Sequence, residues 1–195
     1  MNRSTSLMTL VLVVAVTVFA GTAQAQNLLV NGNFATGRLA PWVPFTTSNG
    51  TNGNGGHYPR VVMLNAMGAG VVYAAHFSVG VVDPFLCQFC SEGGGINQIV
   101  LVSTAGTYNF FADIGTASVA FNADAGTFSI VIDGATLASK SLGSIGANQV
   151  LRGTLSGSVS LAAGSHTFEV LITRAYTAIA ITPNELVGNI WLSKI

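Results

Sequence analysis

The stretch Gln149-Val150-Leu151-Arg152-Gly153-Thr154-Leu155-Ser156-Gly157-Ser158-Val159-Ser160-Leu161 decides the fold. Leu151, Gly153, Leu155, Gly157, Val159 and Leu161 alternate with Arg152, Thr154, Ser156, Ser158 and Ser160. In an extended chain a period of two sends alternate side chains to opposite faces, so one face is buried and the other wet. The same alternation recurs on both sides of this run. From Thr107 to Asp113, Tyr108, Phe110 and Ala112 share one side, and Asn109, Phe111 and Asp113 share the other. Thr127 to Ile132 leads into Asp133-Gly134 and then Ala135 to Ser139, a type I′ hairpin signal because both turn positions need positive φ. After Ala163-Gly164-Ser165, Phe168, Val170 and Ile172 are expected to face inward opposite Thr167, Glu169 and Thr173.

Further runs at Leu28 to Asn31, Arg60 to Leu64, Gly70 to Val79, Ile96 to Ser103 and Val187 to Lys194 complete a set of short strands. Turns rich in Gly, Asn and Ser separate them, and the chain holds 23 glycines. This pattern predicts an all-β, two-sheet antiparallel β-sandwich rather than parallel βαβ units. There is no internal repeat or domain linker. The polar stretch Thr46 to Gly56 reads as one long exposed loop.

The N-terminus has the three parts of an export signal. Arg3 gives the positive start, Leu7 to Ala20 the apolar stretch, and Ala23-Gln24-Ala25 the small residues of a cleavage site before Gln26. The apolar stretch falls short of the roughly 20 residues that span a bilayer. Residues 1–25 are therefore expected to be a cleaved signal peptide, and residues 26–195 one soluble domain, secreted or periplasmic, with no membrane contact after cleavage. Seven Lys and Arg balance seven Asp and Glu, and no basic cluster exists, which argues against nucleic-acid capture. Only 7% of residues are charged, against about 25% in an average protein. Such a surface stays wet through Ser, Thr, Asn and Gly, and suits neutral partners such as sugars. Cys87 and Cys90 stand as Cys-Gln-Phe-Cys. In an oxidising compartment a local disulfide is expected. No zinc or other metal site is expected, because His57, His76 and His166 lack the spacing that would complete one.

No catalytic constellation emerges. A glycosidase needs two facing carboxylates about 5 to 10 Å apart. Asp113 and Glu169 both sit on polar faces of strands and could be neighbours, yet solvated strand faces carry such acids routinely. There is no Gly-x-Ser-x-Gly, and His166 falls at the start of a strand. The domain is expected not to be an enzyme.

Asn27-Leu28-Leu29-Val30-Asn31-Gly32-Asn33-Phe34, then Gly37 and Pro41-Trp42, resembles the opening of exported jelly-roll carbohydrate-binding modules of the galactose-binding-like superfamily. Gln98 to Val102 followed by Ala105-Gly106-Thr107-Tyr108 is similar to that family's central strand pair, and Gly188-Asn189-Ile190-Trp191-Leu192 to its closing strand. The resemblance implies a jelly-roll sandwich, a sugar site on a concave face or at loop tips, and commonly a structural calcium. Ala35 and Asn189 stand where the family has Glu and Asp, so the calcium is disfavoured and no cofactor is expected.

Sugars stack on aromatic rings and hydrogen-bond to amides or charged groups. Two loops offer both, one with Trp42, His57, Tyr58 and Arg60, the other with Asp83, Phe85 and Phe89 around the cysteines. Trp42 can equally pack under the first strand. Tyr108 and Trp191 lie in alternating strands and read as core. The expected function is a secreted, non-catalytic module that binds polysaccharide or glycan. The alternative is a structural or adhesive surface protein that self-associates through the same sandwich.

Overall fold

The Asp133-Gly134 turn has the form its residues dictate, with φ of 52° and 80°, and it joins two antiparallel strands. The computed structural model of the protein describes residues 26–48, 50–53, 57–64, 72–80, 91–175 and 182–195. They form β1 (Val43–Thr46), β2 (Arg60–Leu64), β3 (Val72–Phe77), β4 (Ser91–Val102), β5 (Gly106–Ser118), β6 (Thr127–Ile132), β7 (Ala135–Ser141), β8 (Gln149–Leu161), β9 (Gly164–Ala175) and β10 (Asn184–Lys194). The first sheet runs β1-β4-β9-β6-β7 and the second β2-β3-β10-β5-β8, with antiparallel pairing throughout. The predicted all-β, two-sheet sandwich is the observed architecture.

Alternation places the core as expected. Phe128, Ile130, Ile132, Phe168, Val170 and Ile172 of the first sheet are buried against Tyr108, Phe110, Ala112 and Ile114 of the second. Each large side chain so buried contributes about 1.5–3 kcal/mol. Gly157 of β8 is obligatory, because a Cβ there would sit 2.6 Å from the ring of Phe110, its cross-strand partner. Buried Tyr108 directs its hydroxyl to the carbonyl of Thr104 at 2.6 Å, so its polar end is satisfied.

Two details differ from the sequence reading. Leu28 to Asn31 is a turn-rich segment rather than a strand. It still closes one flank: Leu28 N–H donates to Leu192 O, Ile190 N–H donates to Gly32 O, and the Gln98 amide holds both the N–H and the carbonyl of Val30. The expected exposed loop from Thr46 onward is instead pinned along β4. Thr47 bonds to Gly93, and buried Asn52 donates to the carbonyl of Phe45. A Cβ on Gly94 would fall 2.1 Å from Asn52 Oδ1, which explains a glycine-rich stretch inside a strand.

Candidate functional site

β10 departs from alternation. Gly188 pairs with Asp113 and Trp191 with Phe111, so three steps along β10 match two along β5. This is a β-bulge, with Asn189 at φ 47° taking up the additional residue. Val187 faces the core before the bulge, and Ile190 and Leu192 face it afterwards. The shift turns Trp191 to the outer face of the second sheet, where the core assignment made from uninterrupted alternation does not hold. Its ring stacks on Phe111 at 6.0 Å between centroids and 24° between planes, and both residues are half-buried.

Polar groups surround this shelf. Asn189 Nδ2 donates to Asp113 Oδ2 at 2.7 Å, and Ser158 Oγ donates to Asn109 Oδ1 at 2.7 Å. A cleft of about 500 Å³ lies on one side of Trp191, lined by Asn27, Asn31, Asn33 and Asn189. A second, of about 290 Å³, lies on the other side with Asn109, Phe111, Ser156 and Ser158. Trp191 borders both. Asn31 Oδ1 is buried without a hydrogen-bond partner among the described residues. The lining of both clefts is amide, hydroxyl, aromatic and, at Leu29 and Ile190, aliphatic, with no charged side chain.

The residues chosen from the loops fare differently. Trp42 is 3% exposed, packs against Phe34 and Phe168, and donates from Nε1 to Asn31 O at 3.3 Å. It is a core residue and offers no surface for a sugar, which corrects its inclusion in the site. Tyr58 and Arg60 are brought together, with the guanidinium carbon 5.3 Å from the ring centroid. Tyr58 also meets His76 edge-on at 5.0 Å, and His57 beside it is exposed. His76 bonds to Asn184 at 2.9 Å, and burial holds its pKa below the ordinary value. Arg60 and His76 are cross-strand partners at one corner of the second sheet. Asp83, Phe85, Phe89 and the Cys87–Cys90 pair lie outside the described residues.

The acids do not assemble into a catalytic pair. Asp113 lies on the outer face of the second sheet, whereas Glu169 lies on the outer face of the first, so the whole sandwich separates them. Asp133 is engaged by His166, whose Nδ1 lies 2.6 Å from Oδ2 while Nε2 faces Ala162 O at 2.9 Å. Two acceptors suit an imidazolium that donates from both nitrogens, so the His166 pKa is raised and the Asp133 pKa lowered. Glu185 is fully buried, accepts from Val79 N–H at 3.0 Å, and has Arg174 Nε 3.8 Å away. Burial outweighs that attraction and pushes its carboxyl up to about 8. Arg174, also buried, donates to the carbonyls of Val79 and Asp124 and so ties the β3 and β5–β6 ends together. Its surroundings are those of a core network.

At the positions where the family resemblance implies calcium carboxylates, Ala35 supplies no side-chain oxygen and Asn189 supplies a neutral amide, whose nitrogen donates to Asp113. Among the described residues no three His, Cys, Asp or Glu side chains cluster as a metal site.

No family model matches the chain, and no curated protein matches it. Solved structures do. One is the TmCBM61 module in complex with β-1,4-galactotriose, at a TM-score of 0.50 and 14% identity over 88% of this chain and 100% of that one. Another is CBM6cm-2 from Cellvibrio mixtus lichenase 5A in complex with cellotriose, at 0.36 and 16%, over 78% and 97%. A third is the CBM22-1–GH10 xylanase 10B of Clostridium thermocellum with xylohexaose, at 0.44 and 10%, over 81% and 27%. The chain has the β-sandwich fold of carbohydrate-binding modules. Among the described residues no helix is long and apolar enough to cross a membrane.

Proposed function

We infer that this protein is a secreted, non-catalytic module that binds a neutral glycan across the outer face of the second sheet. One observation carries the reading: a stacked, half-buried Trp191–Phe111 pair borders two clefts lined with amides and hydroxyls on a strand face. Aromatic faces match the C–H faces of a pyranose, and Asn33, Asn109 and Asn189 offer amide groups for its hydroxyls, whereas Asn27 is committed to the backbone of Leu29, Ile190 and Leu192. The lining holds no charge, which favours a neutral sugar over an acidic one. From the N-terminal segment through β10 and β5 to β8 the site crosses strands spaced about 4.8 Å apart, enough for several sugar units. His57, Tyr58 and Arg60 make a smaller contact patch at a corner of the same sheet. Residues 1–25 act as the export leader, so the mature chain begins at Gln26; intact-mass measurement of the exported protein tests this.

The main test is calorimetric titration of neutral oligosaccharides, together with retention on insoluble polysaccharides, for the native protein and Trp191→Ala. Truncating a central aromatic anchor costs about 2 kcal/mol, roughly a 30-fold loss of affinity. Binding that survives Trp191→Ala and Phe111→Ala unchanged refutes the shelf.

A further inference from the structure

The edge of the first sheet is half covered. β1 pairs with β4 only from Gly94 to Asn97, while on its other side β4 pairs with β9 along its full length. Gln98 to Val102 therefore present a strand edge with no neighbouring strand among the described residues. Its outward side chains are exposed, Ile99 at 72% and Leu101 at 71%. Val30, Pro41 and Val43 line a shallow apolar cleft with Ile99. Sheet edges usually carry a charge, a proline or a bulge that prevents pairing with another chain. From Gly93 to Ala105 there is no charged residue and no proline.

We propose that this edge pairs with the same edge of a second copy, forming a two-fold dimer whose first sheets are continuous. The register follows from the gap. β1 stops at Asn97 and β4 stops at Val102, so Val100 is the centre of the free stretch. An antiparallel pair centred there sets Ile99 opposite the partner's Leu101, and Leu101 opposite the partner's Ile99. Residues opposite one another share a face, so each exposed side chain covers its counterpart. A second copy suits the edge because the strip itself carries no charge, so no like charges meet across it. The contact is small beside the roughly 1,200–2,000 Å² of standard interfaces, so the dimer is weak and forms at high or local concentration.

The two-fold axis of an antiparallel pair stands perpendicular to the sheet. Both first sheets then look one way and both second sheets the other. If the shelf reading holds, on which this consequence rests, two Trp191 shelves face one side. A polymer engaging both gains affinity through effective concentration.

Sedimentation equilibrium of the mature protein from micromolar to millimolar concentration tests the dimer. The weight-average mass is expected to rise towards twice the monomer. Ile99→Lys/Leu101→Lys should remain monomeric, as should Ile99→Thr/Leu101→Thr, a milder pair for strand positions, with unfolding temperatures checked for both. Affinity for short soluble oligosaccharides should be unchanged, while retention on insoluble polysaccharide falls at least tenfold. A native protein that stays monomeric throughout overturns the proposal, including the case in which another partner covers the strip. A dimer that survives both double variants overturns it too. If the dimer forms and dissolves as expected but no glycan binds, the interface stands and the shelf fails.

Discussion

The two tryptophans mark the inside and the outside of the sandwich. Trp42 follows a turn, sits among Phe34 and Phe168, and is sealed from solvent. Trp191 lies within a long strand and is half-buried beside Phe111 on the outer face. Residue type and neighbourhood in sequence point the other way, since loops expose aromatics and alternating strands bury them. What separates the two is local backbone geometry. The Asn31–Ala40 turn is held together by Asn31 Nδ2 donating to the carbonyls of Arg38 and Ala40, and Trp42 Nε1 donates to Asn31 O. The bulge at Asn189 rotates Trp191 out.

The contrast is broken most forcefully by Trp42→Ala. It should cost about 3–5 kcal/mol of stability in chemical denaturation and leave glycan affinity of the folded fraction unchanged. Trp191→Ala should do the reverse, with a roughly 30-fold loss of affinity and little change in unfolding midpoint. Asn189→Ala probes the feature that sorts them: it keeps a left-handed φ that costs an L-residue about 1–2 kcal/mol and removes the bond to Asp113. Asn189→Gly should recover the backbone part of that loss.

The interior also has a pH signature, larger than that of the surface. Glu185 carries a folded-state pKa near 8, above its ordinary 4.5, so the folded state holds the proton more tightly. Its contribution is fully present below pH 4.5 and is lost as pH rises through about 8. Glu185→Gln should flatten the alkaline fall in melting temperature. The smallest effect belongs to the surface pair of His166 and Asp133. The raised His166 pKa gives stability that is full below about 6.5 and lost as pH rises through its folded value. The lowered Asp133 pKa gives stability present above about 3.8 and lost on acidification. His166→Ala should remove the first of these slopes, by a degree or so of melting temperature at most.

Much of the fold was legible because side-chain period and turn chemistry are local signals. Gln149–Leu161 and Thr127–Ile132 have the expected bounds, and Phe168, Val170 and Ile172 lie inside as read. β1 was hidden because Pro44 interrupts its strand signal, and the start of β4 because three glycines look like a turn. Those glycines answer to a segment packed over them, a long-range cause that no local pattern carries. The shelf was half visible. Asn109, Phe111 and Asp113 were placed together on one side of their strand, but their partner Trp191 required knowledge of the bulge. A signal was present in Gly188-Asn189, a pair that readily takes up a left-handed residue.

The order of strands in the second sheet governs how the chain can be made. β10 lies between β3 and β5, and its far half holds the segment around Leu28. The middle of that sheet thus comes from residues synthesised after every other strand, and the opening segment waits for the closing one. Until Asn184–Lys194 arrives, the β2–β3 pair and the β5–β8 pair of this layer have no strand between them to join them. The layer therefore closes only when the last of its strands docks between those two pairs.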